Sequence, residues 1–229
     1  MSISYKALVD LTLPIVSNMP IPPANVNMLP PVTFKLYKDA ELDGIQVGFF
    51  QEGIHSGTHL DAPRHIFAGG ETIENLPLDQ FMGKAVCLDC SAVKPNEPVT
   101  AAMLEPYAPM MEPGIIALLY TGWSDKMFGT DEYWFDSPYL GEDAAQWLVD
   151  HGAKIAGFDF FQEIGAKCDH VKPDEFVVHK IILGNHCLNI EHLTNLGQLL
   201  GKEFDIIALP LRLVGAEGSP TRVVALVKE

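Results

Sequence analysis

Seven short apolar runs, each closed off by glycine, proline or aspartate, limit what this chain can become. They are "VTFKLY" at residues 32–37, "IQVGFF" at 45–50, "KAVCLDC" at 84–90, "GIIALLY" at 114–120, "AKIAGFDFF" at 153–161, "FDIIALPLRLV" at 204–214 and "RVVALVK" at 222–228. Their length, their β-branched and aromatic content and their turn-forming borders read as strands. Helical signals are fewer. "GEDAAQWLVDHG" (141–152) has early acids and a terminal glycine, "KPDEFVVHKIILG" (172–184) opens with proline and closes with glycine, and "TNLGQLLG" (194–201) is short. Strands outnumber helices and alternate with them only in part, so the expected fold is α/β, with α+β as the alternative, around a mixed sheet. No repeat, low-complexity tract or linker divides the chain, which predicts one domain over residues 1–229.

Between Leu13 and Pro31 stand Pro14, Pro20, Pro22, Pro23, Pro30 and Pro31. Prolines this close deny the backbone both helix bonds and ladder donors, so residues 13–31 form an extended arm or loop. Such an arm is either a surface connection or a strap over a pocket or a neighbouring subunit.

The chain has 229 residues, enough to bury a sizeable core without disulfides or a structural metal. A formal charge of −15 disfavours phosphate backbones and anionic membranes, so neither nucleic acid nor a lipid surface is an expected partner. No apolar run reaches the roughly 18–20 residues that span a bilayer, and "MSISYKALVDL" lacks the basic start and apolar stretch of a signal peptide. The expected location is the cytoplasm. Of the four cysteines, Cys87 and Cys90 have redox spacing but lie within a strand-like run. Those two are read as packed free thiols, and four cysteines are too few for a disulfide scaffold.

The chemistry is concentrated in "HSGTHLDAPRH", residues 55–65, which holds three of the eight histidines and one aspartate. Gly57, Thr58 and Pro63 argue against a helix there. In an extended segment His59 and Asp61 point the same way, and Gly57 allows the backbone to turn so that His55 comes back toward them. Two imidazoles and a carboxylate form a ligand set for a divalent transition metal, and three protein ligands leave positions open for water. Pro63 places His65 beyond the others, where it can act as a base.

Two downstream residues stand out. Glu191 lies in the apolar, strand-like "CLNIEHL", where a buried carboxylate needs a cation partner. His179 lies in "EFVVHKIIL"; spacing alone leaves open whether it is a ligand or a core histidine bonded to a carbonyl.

The motif resembles the HxGTHxDxPxH signature of the metal-dependent cyclase-like hydrolases, the family of bacterial kynurenine formamidase and isatin hydrolase. The resemblance continues from "DLTLPI" through "TGW" at 121–123 to "ALPLRLVGAEGSPTRVVAL". It implies a swivelling β/β/α fold assembled as a homodimer or homotetramer. It implies His55, His59, Asp61, His179 and Glu191 as ligands of one or two zinc or manganese ions, with Asp61 and Glu191 able to bridge, and His65 as the proton-transfer residue. The activity implied is cleavage of a C–N bond in a small amide, formamide or lactam. Lactone hydrolysis, cyclisation and a non-catalytic metal-binding protein are the alternatives. Trp123, Phe160 and Phe161 are the candidate substrate-facing residues. Phe160 and Phe161 depart from the small hydroxyl residue that the family's formamidases tend to carry in this segment. A second departure places His186 and His192 beside Glu191, and His186 is assigned no role.

Overall fold

The computed structural model describes residues 4–23, 26, 29–167 and 173–228. Among them are twelve strands: β1 (Ala7–Asp10), β2 (Thr33–Lys38), β3 (Val47–Gln51), β4 (His59–Asp61), β5 (Met82–Asp89), β6 (Pro98–Val99), β7 (Ile115–Tyr120), β8 (Tyr139–Leu140), β9 (Ala153–Phe158), β10 (Leu188–Glu191), β11 (Phe204–Pro210) and β12 (Gly218–Val227). The helices are α1 (Ala40–Asp43), α2 (Ala101–Leu104), α3 (Trp123–Met127), α4 (Glu132–Phe135), α5 (Glu142–Asp150) and α6 (Val177–Gly184).

Eight strands form one mixed sheet in the order β1-β12-β11-β5-β7-β9-β10-β4. The central β5, β7, β9 and β10 are parallel neighbours and the flanking pairs are antiparallel. This is the mixed α/β architecture expected. The sheet also closes on itself, because β4 pairs with β10 and with the start of β12, where Gly218 stands opposite Asp61. That contact needs a glycine: a Cβ at residue 218 would sit 2.6 Å from the Leu60 carbonyl oxygen.

Alternation along the strands splits the core in two. Leu60, Cys87, Ile116, Leu118, Ile155, Leu188, Ile190, Ile206 and Ala225 fill the interior of the ring. Val86, Leu88, Ala117, Leu119 and Phe158 lie on the other face beneath Leu104 of α2, Ala144 and Leu148 of α5, and Val178 and Ile182 of α6. The buried thiols belong to this packing, and burial pushes Cys90 and Cys187 up to about 12. Cys168 lies outside the described residues.

The structure shortens several expected elements. The run at 204–214 leaves the sheet at Pro210, which has no N–H to continue the ladder. The 194–201 segment makes only a 3-10 turn, Leu196–Leu199. The helix at 172–184 begins at Val177, after a separate turn at Pro173–Glu175; Lys172 lies outside the described residues. Of the proline-rich arm, residues 24, 25, 27 and 28 are likewise outside. No helix among the described residues is long and apolar enough to cross a membrane.

Candidate metal centre

The motif folds as a turn, a strand and a turn. Gly57 takes φ 60°, a left-handed conformation that suits glycine, and swings His55 back over β4. In β4 Leu60 points into the ring core while His59 and Asp61 share the opposite face, both fully buried. The antiparallel register with β10 sets Glu191 opposite His59 and Asn189 opposite Asp61. Period-two alternation therefore makes a polar patch of four side chains on an otherwise apolar sheet. His179 on α6 joins that patch, and Pro63–His65, a 3-10 turn, brings His65 beside it.

The two carboxylates divide their oxygens between two sides. Asp61 Oδ1 lies 2.9 Å from His55 Nδ1 and 3.4 Å from His59 Nε2, while its Oδ2 lies 3.5 Å from His179 Nε2. Glu191 Oε1 is 3.0 Å from His179 Nε2, and its Oε2 is 3.7 Å from His59 Nε2 and 3.6 Å from His192 Nε2. Three donor sets result, each with its ligand atoms within 4.8 Å of one another: His55–Asp61–His65, Asp61–His179–Glu191 and His59–Glu191–His192. The structure thus gathers all six of His55, His59, Asp61, His65, His179 and Glu191.

The donor chemistry fits a cation. His59 Nδ1 is 2.9 Å from the Gly57 carbonyl oxygen, which can only accept, so Nδ1 carries the proton and Nε2 presents a lone pair. That Nε2 is buried without a hydrogen-bond partner, as is Nε2 of His192, whereas Nε2 of His55 faces Glu217 Oε1 at 3.5 Å. Buried acceptors aimed at two carboxylates are costly unless a positive ion lies between them. His179 is oriented likewise, its Nδ1 lying 3.0 Å from Glu163 Oε2 and its Nε2 left facing Asp61 and Glu191.

Electrostatics follow from this crowding. Burial opposes charge on His55, but the Asp61 and Glu217 carboxylates outweigh it and raise His55 to about 9. Burial likewise opposes charge on His179, and Asp61, Glu163 and Glu191 raise it above the usual range. Burial alone would raise Glu191 and the Asp61 charge adds to that, yet the hydrogen bond from His179 and the charge on that imidazole hold it at about 2. His65 goes the other way: burial lowers it to about 4, although Asp61 pulls it upward, so its imidazole is a free base at neutral pH.

The substrate-facing candidates separate. Phe161 packs edge-on against Trp134 and lies parallel to the His192 ring, 6.1 Å away. Trp123 packs on the same aromatic cluster and donates from Nε1 to the Tyr133 carbonyl. Phe160 instead points into the core under α5 and α6. A cleft of about 420 Å³ runs between the proline-rich arm and α4, with Met19, Pro20 and Pro31 on one side and Trp134 and Phe135 on the other. The arm is anchored to the motif: Thr58 Oγ1 accepts from Leu13 N (2.9 Å) and donates to the His192 carbonyl (2.6 Å). His186 is exposed, and its carbonyl accepts from Gln80 Nε2.

Sequence reasoning missed Gln162, which donates to Glu191, Asn189, which approaches Asp61, Glu163 and His192. Their one signal was polar residues at strand-facing or helix-facing positions within apolar runs. It also missed Asp159, whose carboxylate accepts from Thr121 N, Thr121 Oγ1 and Gly122 N and so shapes the "TGW" turn. Burial raises Asp159 to about 7 against those bonds.

The sequence profile of the Cyclase family matches residues 9–162. The chain belongs to the cyclase family. It is 27% identical over 217 residues to kynurenine formamidase of Bacillus cereus, covering 94% of this chain and 95% of that one. It is 33% identical over 184 residues to cyclase-like protein 3 of Oryza sativa subsp. japonica, covering 75% of this chain and 62% of the rice protein's length. Among solved structures, an isatin hydrolase bound to the product analogue thioisatinate superposes with a TM-score of 0.81 at 25% identity, covering 97% of this chain and 92% of that one. A potential metal-dependent hydrolase with cyclase activity superposes at 0.74 and 26% identity, covering 97% and 98%. These similarities support a hydrolase of the cyclase family.

Proposed function

We propose that the chain is a metal-dependent amidohydrolase that opens a C–N bond in a small amide, formamide or lactam. The observation that carries this reading is the set of buried, unpartnered imidazole nitrogens converging on Asp61 and Glu191. His55, His59, Asp61, His179 and Glu191 would hold one or two ions of zinc or manganese, both of which a His/Asp/Glu set accepts. A divalent ion bound there supplies Lewis acidity, polarising a carbonyl and making water acidic enough to react near neutral pH.

The chain's own part is positioning and proton transfer. His65, uncharged at neutral pH, lies with its ring centroid 4.0 Å from that of His55 at the edge of the cluster. It takes the proton released as water attacks the carbonyl and returns it to the departing nitrogen. The cleft beside Trp134, whose ring meets His192 edge-on, would give a flat substrate an aromatic wall next to the centre. The identities of the formamidase and isatin hydrolase relatives support the C–N bond as the target.

Elemental analysis of protein purified without chelators, followed by turnover of formyl-anilides, lactams and lactones with added zinc or manganese, tests the reading. One or two equivalents of metal and cleavage of a formanilide or lactam are expected. Fully loaded protein that opens only lactones, or nothing, overturns it.

A further inference from the structure

His192 was not among the expected ligands, yet its surroundings fix which of its nitrogens carries the proton. Ser124 Oγ donates to the Asp159 carbonyl (2.7 Å), because a carbonyl oxygen can only accept. With its one proton spent there, Ser124 Oγ can only accept from Tyr133 OH, 3.3 Å away. With Tyr133 OH donating to Ser124 and accepting from His192 Nδ1 at 2.7 Å, both contacts of the hydroxyl are hydrogen bonds; the reverse sense would leave the Ser124 contact without a proton. The polarity of this chain of bonds runs one way, so His192 holds its proton on Nδ1 and presents a lone pair at Nε2.

That lone pair points at other electron pairs. Nε2 is buried without a hydrogen-bond partner, 3.6 Å from Glu191 Oε2 and within 4.8 Å of the His59 ligand atom, itself a lone pair by the same reasoning. Three acceptors meeting in a buried space repel one another unless a cation joins them. The ring is held there at a cost. His192 has φ 56°, a left-handed backbone uncommon outside glycine, and the Thr58 hydroxyl secures its carbonyl. Trp134 edge-on and Phe161 stacked close off the ring faces.

We propose that His192 is a further ligand of the centre, binding through Nε2 the ion held by His59 and the Oε2 side of Glu191. The added imidazole makes that side nitrogen-rich, which favours zinc over manganese. The inference rests on the reading of the site as a metal centre and adds to it a ligand and a preference.

Calorimetric zinc titration of chelator-stripped wild type, His192→Gln and His186→Gln, each checked for fold by circular dichroism, tests it. His192→Gln should weaken zinc binding at one site by ten- to a hundredfold or more and narrow the zinc-over-manganese preference, with His186→Gln unchanged. A folded His192→Gln that binds zinc as wild type does overturns the ligand role while leaving the metal centre standing. Wild type that binds no zinc or manganese overturns both. Should His192→Gln fail to fold, ¹⁵N-histidine NMR of the wild-type chain decides. An Nδ1–H tautomer whose Nε2 resonance shifts on zinc addition supports the proposal, and an Nε2–H tautomer indifferent to zinc removes it.

Discussion

Glu163 Oε2 lies 3.0 Å from His179 Nδ1 and also accepts from the His179 backbone N–H at 3.2 Å. One carboxylate oxygen therefore fixes both the start of α6 and the tautomer of the histidine it carries. Glu163→Gln keeps the volume but removes the charge that favours an Nδ1–H imidazole. Metal affinity should fall by roughly ten- to a hundredfold with the fold intact, read by competition with a chelator of known affinity. Unchanged affinity would show that α6 alone orients His179.

His65 and His59 make a discriminating pair. His65→Ala should retain metal and lose turnover by roughly a hundredfold or more, whereas His59→Ala should lose metal. Metal content by elemental analysis and turnover number, measured on the same preparations, separate the roles. Equal metal loss in both would make His65 a ligand.

Metal binding should release protons at neutral pH. His55, at about 9 in the cation-free protein, carries a proton that a bound ion must displace. Apparent affinity is therefore expected to rise from pH 7 to about 9, and calorimetry in buffers of different ionisation enthalpy should count the proton. The stability of the stripped protein follows the opposite sign. A base raised by its partners contributes stability fully present below its unfolded value near 6.5, and that contribution is lost as pH rises through about 9. The melting temperature of stripped protein should fall across that window.

Thr58 joins three segments through one hydroxyl. Thr58→Val preserves shape but leaves Leu13 N and the His192 carbonyl without it. A loss of about 1–3 kcal/mol per group left buried and unpaired is expected, together with faster proteolysis within the arm. Chemical denaturation and a limited proteinase K time course, with the cut sites mapped by mass spectrometry, measure the two.

The β2–β3 hairpin exposes Phe34, Leu36, Tyr37, Phe49 and Phe50, with Tyr37 66% accessible. Phe34, Leu36 and Phe50 lie on one face of it and Phe49, against Tyr37, on the other. An isolated two-stranded hairpin is marginal in water, and one apolar on both faces marks an interaction surface. A second copy of the chain is the expected cover. Light scattering should give at least twice the chain mass, and Phe34→Lys with Phe49→Glu should reduce it.

Much of this was legible before any coordinates. The long strands announced themselves, since "GIIALLY" and "KAVCLDC" bury one face in the ring and the other under helices. The three-residue β4 did not, because its identity as a strand depends on pairing with β10 and β12 rather than on its own periodicity. The same holds for the site. Residues 55–65 declared their chemistry by density alone. His192, Glu163 and Asp159 acquire meaning only through partners distant in sequence, along bonds whose polarity no local pattern encodes. Phe160 and Phe161 show the limit of adjacency: alternation sends one into the core and the other toward the cluster.

The pairing of Gly218–Pro220 with His59–Asp61 has a consequence for how the centre comes into being. Its earliest donors remain on an unfinished sheet edge until a strand made far later in synthesis arrives beside them, a contact of high sequence separation that forms slowly. A cation of the kind proposed would be captured only after residues 218–220 have been made and have docked, and chains stopped short of them would carry loose histidines rather than a closed set of donors.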